Sequence, residues 1–162
     1  MFSSRIKNLG VCVTTVLAVV LLLFPLAKVF SLHSSFFDLG VFENLSYRMA
    51  IQGEWQAGFA AHAHWFAQAY SWLFGMLPWT TIPYFLVGSQ AALLVLPALL
   101  FYRRFGIFAA FVYTAFYPLW VNAHFDFHYD HLAVPLLIGF YWALLDQKVG
   151  WAVLSATSLI FV

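Results

Sequence analysis

Residues 9–27 form a run of 19 without a charged side chain, and residues 65–101 form a second run of 37. At about 1.5 Å per residue the first run covers most of a hydrocarbon core about 30 Å thick, so it reads as a membrane span. Arg5 and Lys7 ahead of it resemble the n-region of a signal peptide. The run nevertheless exceeds the usual h-region of about 7–15 residues, and no clean small-x-small site follows, so an uncleaved anchor is expected. Composition agrees: 64% of the chain is hydrophobic and 8% charged, against about 45–50% and 25% for a soluble domain. So few charges cannot cover a globule in water, and lipid must be the main solvent. Seven basic residues against six acidic ones leave no basic surface for a nucleic-acid partner. Cys12, the single cysteine, excludes an internal disulfide and a cysteine-based zinc site.

The expected architecture is an all-α, polytopic transmembrane helix bundle with amphipathic helices on its outer face, a single domain over residues 1–162. Spans are expected at about 9–30, 81–101, 105–121, 132–147 and 149–162, with outer helices at 34–62 and 66–77. The outer segment mixes Asp38, Glu43, Arg48, Glu54, His33 and His62 with an apolar stripe of Phe37, Val41, Phe42, Leu45 and Met49 at helical spacing. Ser35-Phe36-Phe37-Asp38 reads as a capping box opening that helix. Pro78 and Pro83 divide the long uncharged block into a short interfacial or re-entrant helix and a span that stops at Arg103-Arg104. The last apolar stretch runs to Val162 as an incomplete helix, so the chain is expected to be an N-terminal portion of a larger protein.

Arg5, Lys7, Arg103, Arg104 and Lys148 fall on one side of these spans, and only Lys28 and Arg48 on the other. By the positive-inside rule the N-terminus is cytoplasmic, in a multi-pass protein of a prokaryotic plasma membrane. Asp38, Glu43, Glu54, Asp126, Asp130 and all six histidines then lie outside, and only Asp146 inside.

Two stretches far apart in sequence therefore share the outer face. One runs from His33 through Asp38, Glu43 and Arg48 to His64-Trp65; the other is His124-Phe125-Asp126-Phe127-His128-Tyr129-Asp130-His131. Aspartates at a bilayer centre cost about 2.5–3.5 kcal/mol each, so the second stretch must face water or a polar cavity. A helix there puts His124, His128 and His131 on one face; an extended strand aligns His124, Asp126, His128 and Asp130. Either arrangement makes His124, Asp126, His128 and Asp130 candidate ligands for a divalent ion, with zinc or manganese favoured by the nitrogen and oxygen donors. The bland alternatives are a capping carboxylate at Asp38, solvated charges at Glu43, Arg48 and Glu54, and loop histidines that only hydrogen-bond. Tryptophans near both boundaries read as an aromatic belt, and Gln90 as a hydrogen-bonding residue inside the bundle. No phosphate-binding glycine motif occurs.

Phe37-Asp38-Leu39-Gly40-Val41-Phe42-Glu43 after the first span, His64-Trp65-Phe66, Gln90 within a span, and Asp126-Phe127-His128 ahead of Leu132-Ala133-Val134-Pro135 carry a resemblance. Together they resemble an uncharacterised family of prokaryotic membrane proteins, catalogued as a domain of unknown function and itself similar to the GT-C superfamily of polytopic glycosyltransferases. The resemblance implies a sugar transferase using a polyprenyl phosphate donor in the membrane, with Asp38 as catalytic base or metal contact and Glu43 as a second carboxylate. Arg48, His64, Asp126 and His128 are then the substrate-binding candidates, with one of the cationic groups or a bound ion on the phosphate. The competing classes are a metal-handling or transport protein and a non-catalytic membrane subunit. Transport calls for ionisable groups along the spans, and only Lys28 and Asp146 lie near span ends.

Overall fold

In a computed structural model, which describes residues 4–31, 37–54, 65–125 and 127–160, the chain is all-helical over those residues. Eight α-helices follow one another: α1 (Ser4–Phe30), α2 (Phe37–Ala50), α3 (Trp65–Phe74), α4 (Ile82–Phe105), α5 (Ile107–Ala115), α6 (Tyr117–His124), α7 (Ala133–Leu145) and α8 (Val149–Leu159). Short 3-10 turns at Trp79–Thr81 and Tyr129–Leu132 lead into α4 and α7.

Two of these helices are long and apolar enough to cross a membrane, over Lys7–Phe30 and Ile82–Phe105, with mean hydropathies of 2.6 and 1.9. Their surroundings differ. Only 17% of the α1 window is buried inside the protein against 39% for α4, so α1 turns Leu9, Val16 and Leu23 outward on the flank of a bundle that α4 centres. A helix that apolar and that little covered by its own chain needs lipid or another apolar surface around it.

Local chemistry sets the ends of the helices. Pro83 occupies the first turn of α4, where a missing N–H costs nothing. Gly106, at φ 86°, ends α4 and donates its N–H to the Tyr102 carbonyl. The stretch 105–121, expected as one span, is instead two helices. Phe116 is extended (φ −66°, ψ 114°) and Pro118 sits in the first turn of α6, so proline starts a new helix where apolar character alone suggests continuity.

Packing divides the interior into two clusters. Leu21, Leu94, Leu119 and Ala123 join α1, α4 and α6 near mid-bundle. Val29, Leu39, Phe42, Met49, Tyr70, Phe74, Leu86 and Phe127 form the second cluster, which ties α2 and α3 to one end of α1 and α4. Helices approach closely where a side chain is missing: a Cβ on Gly88 of α4 would lie 3.5 Å from Leu26 of α1, and one on Gly139 of α7 would lie 3.5 Å from Ser155 of α8.

At the far end of α4, Arg104 donates two hydrogen bonds to the Asp146 carboxylate (2.9 and 2.6 Å), with Phe105 and Trp142 each 5.6 Å from the guanidinium. Asp146 ends α7, and the turn beyond it holds Gln147 at φ 57° and closes with Lys148 N–H donating to Ala143 O at 2.7 Å. Asp146→Asn is expected to speed hydrogen exchange at the 146–148 turn while α1–α4 protection stays unchanged, as amide exchange read by mass spectrometry will show. Equal exchange in both proteins would mean the α7–α8 hairpin does not depend on this tie.

Candidate functional site

Gln90 organises the other end of the bundle. It lies two turns into α4 and is 2% exposed. Its Nε2 donates to the carbonyls of Asn122 (3.0 Å) and Phe125 (3.4 Å), and its Oε1 accepts the His128 N–H at 3.0 Å. An amide buried in a helix bundle is tolerable only when its donors and acceptor are used, and here all three bonds go to the backbone of one segment. The carbonyls it occupies are those α6 leaves open at its C-terminus, so Gln90 ends α6 and holds the following chain extended.

Lys28 does similar work from α1. Its Nζ donates to the His124 carbonyl at 2.6 Å, placing a cation at the C-terminal, partially negative end of α6. The Phe24 ring lies 4.2 Å from that of His124, whose Nδ1–H donates to the Trp120 carbonyl at 2.6 Å.

Neither regular geometry expected for residues 124–131 occurs. Helix continues to His124, Phe125 and His128 are extended, and Tyr129–Leu132 form a 3-10 turn. His124 is thereby separated from the rest. It lines an opening of about 610 Å³ with Tyr117, Trp120, Val121 and Phe125. His128, Asp130 and His131 line a different cleft of about 310 Å³ with Gln90, Asn122 and Phe125. His128 Nδ1 is 3.7 Å from Asp130 Oδ2. Among the described residues no three of His, Cys, Asp and Glu are placed to share a metal ion. Asp126, the remaining candidate ligand, lies outside those residues.

The second stretch meets the first through aromatic contacts. Phe127, fully buried, stands edge-on to Phe42 of α2 (5.6 Å) and Tyr70 of α3 (5.9 Å), and the Phe42 ring is 5.1 Å from His128. The α2 helix and the 127–132 segment therefore share one end of the bundle. Asp38 is on the first turn of α2, its side chain outside the described residues, as are Ser35, His33, His62 and His64. Glu43 follows Phe42 and is partly buried, and desolvation pushes its carboxyl upward. Arg48 is committed elsewhere, donating from Nε (2.8 Å) and Nη2 (2.6 Å) to Glu54 Oε2 in a pair nearly half exposed.

His131 is the residue that sequence spacing undervalues. It is 4% exposed, its ring edge-on to Phe127 at 5.2 Å. Its Nδ1–H donates to the His128 carbonyl, and its Nε2 is buried without a hydrogen-bond partner. Burial pushes the imidazole down to about 4, outweighing the bond to His128 and the nearby Asp130 charge. The unfolded chain thus binds a proton near pH 6.5 that the folded chain refuses until about pH 4. Stability is full above 6.5 and falls as pH drops through that window. Between pH 7 and pH 4 the wild type is expected to lose about 3 kcal/mol more than His131→Gln, measured by denaturation at each pH. Identical pH profiles would show that His131 is not buried neutral.

Comparison with protein-family models, curated proteins and solved structures finds no match to this chain.

Proposed function

We propose that the chain is a GT-C-like, multi-pass membrane module that transfers a sugar from a polyprenyl phosphate lipid at the non-cytoplasmic surface, its N-terminus cytoplasmic. The observation that carries the reading is the contact between Phe42 of α2 and the Phe127–His128 segment. It supports a common site for the acidic helix and the histidine-rich segment at one end of α4. The Arg104–Asp146 tie lies at the other end, about 21 Å from Gln90 along the helix.

In this reading Asp38 removes the proton from the acceptor hydroxyl as its oxygen bonds to the anomeric carbon. The bond from that carbon to the donor phosphate breaks, inverting the centre and leaving polyprenyl phosphate. Glu43, whose carboxyl burial pushes upward, is the second carboxylate and hydrogen-bonds a sugar hydroxyl. Arg48 stabilises the departing phosphate by exchanging Glu54 for it, since an ion pair this exposed contributes only about 0–1 kcal/mol. His64 and Asp126 complete the substrate contacts. His128 and Asp130 offer two ligands to a divalent ion, and no step here runs through a metal.

The test supplies radiolabelled polyprenyl phosphate sugar to membranes containing the full-length protein, wild type or Asp38→Asn. Transfer by wild type that the variant lacks supports the reading, and equal transfer by both removes Asp38 from the mechanism.

A further inference from the structure

The cleft between α4, α6 and the Tyr129–Leu132 turn has an unusual balance of hydrogen-bonding groups. Its one buried amide, Gln90, has spent both donor bonds on the Asn122 and Phe125 carbonyls. Asn122 has turned its Nδ2 to the Pro118 carbonyl at 3.0 Å, so its side-chain oxygen is left as an acceptor. Asp130, exposed at the rim, contributes a carboxylate. His131, 4% exposed, lines the same cleft. With Nδ1 carrying the proton given to the His128 carbonyl, Nε2 is a bare lone pair, buried and unpartnered. Such an atom costs free energy unless a donor arrives.

The Asn122 oxygen, the Asp130 carboxylate and His131 Nε2 are three acceptors beside the one imidazole of His128, and they call for a ligand that brings O–H donors. Val121 and the exposed Phe125 ring add apolar lining, against which the C–H face of a pyranose packs well. We propose that this cleft binds a neutral, hydroxyl-rich sugar unit and that His131 Nε2 accepts a hydrogen bond from one of its hydroxyls. The inference rests on the transferase reading for the identity of the ligand as a sugar.

The test uses the full chain in phospholipid nanodiscs, free of sugar-based detergent and with histidine side chains labelled with 15N. Glucose, mannose and galactose are titrated with glycerol as a control. The His131 Nε2 resonance, assigned through His131→Gln, is expected to shift saturably with at least one hexose and not with glycerol. Flow dialysis with that radiolabelled hexose should show binding weakened about tenfold in His131→Phe and kept within about threefold in His131→Gln, which retains an acceptor. Competition by polyprenyl phosphate hexose in the nanodisc would assign the hydroxyl to the donor and its absence to the acceptor sugar; either upholds the inference. An unchanged affinity in a natively helical His131→Phe would overturn it, as would a resonance that answers micromolar zinc or manganese chloride and no hexose. Because binding is read without turnover, the two ideas fail separately. Hexose bound through His131 with no transfer sinks the transferase alone, whereas Asp38-dependent transfer with His131-independent affinity sinks this inference alone.

Discussion

Membranes carrying the Asp38→Asn chain are expected to transfer sugar about a thousandfold more slowly than wild type, within the usual range for removing a general base. The substitution separates two roles that a carboxylate on the first turn of α2 can play. Asparagine serves a helix N-terminus nearly as well as aspartate, so a purely structural Asp38 predicts native stability and native transfer. A base predicts native stability with lost transfer, because an amide takes no proton at neutral pH. Measuring both thermal unfolding and initial rates on one preparation distinguishes them. Asp38→Glu, which keeps the base but moves it by a methylene, should recover part of the rate. If Asp38→Asn is unfolded and inactive together, the carboxylate's charge at the start of α2 supports the fold and the base assignment falls.

The second large effect concerns Gln90. Gln90→Leu is expected to destabilise the protein by about 3 kcal/mol, since it leaves the carbonyls of Asn122 and Phe125 and the His128 N–H without their partner in one stroke. Interhelical hydrogen bonds in membranes average well under 1 kcal/mol when both partners can find others, but these three groups belong to a backbone with no freedom to turn. The loss should be local before it is global. Hydrogen exchange at residues 125–131 should rise first, and the hexose-dependent shift of His131 should vanish. Gln90→Glu keeps the acceptor for His128 but brings a second oxygen to two carbonyls, so it should be at least as damaging. A loss under about 0.5 kcal/mol in Gln90→Leu would show that the 125–131 segment holds its shape from its own turn geometry and from Phe127.

What could be read in advance divides along physical lines. Uncharged length alone shows α1 and α4, because a run that long has few alternatives to a helix. Gln90 stands out because an amide amid apolar residues must find bonds, though its partners across the bundle were not visible. The break at Phe116 was signalled by Pro118, a residue at home in a helix's first turn, yet apolar continuity across 105–121 masked it. Spacing treated residues 124–131 as one regular element, and they are three: a helix end, an extended link and a 3-10 turn. What divides them is a side chain 38 positions away in sequence, at Gln90, which no local pattern can report. Lys28 reads from the sequence only as a charge near a span end, for the same reason; its partner is the His124 carbonyl, 96 positions on.

The interruption between α5 and α6 bears on how the chain is made. At nine and eight residues these helices are about 14 and 12 Å long, each under half a bilayer core. Neither is long enough to cross a bilayer by itself, and Phe116 between them donates its N–H to the Tyr113 carbonyl and accepts the Leu119 N–H. On the proposed membrane reading the pair enters against helices already in place, α1 and α4, which both precede it from the N-terminus. In that reading biogenesis has an order: the two long helices lodge first, and the short pair then folds into the berth they form, carrying the histidine-rich segment to its seat under Gln90.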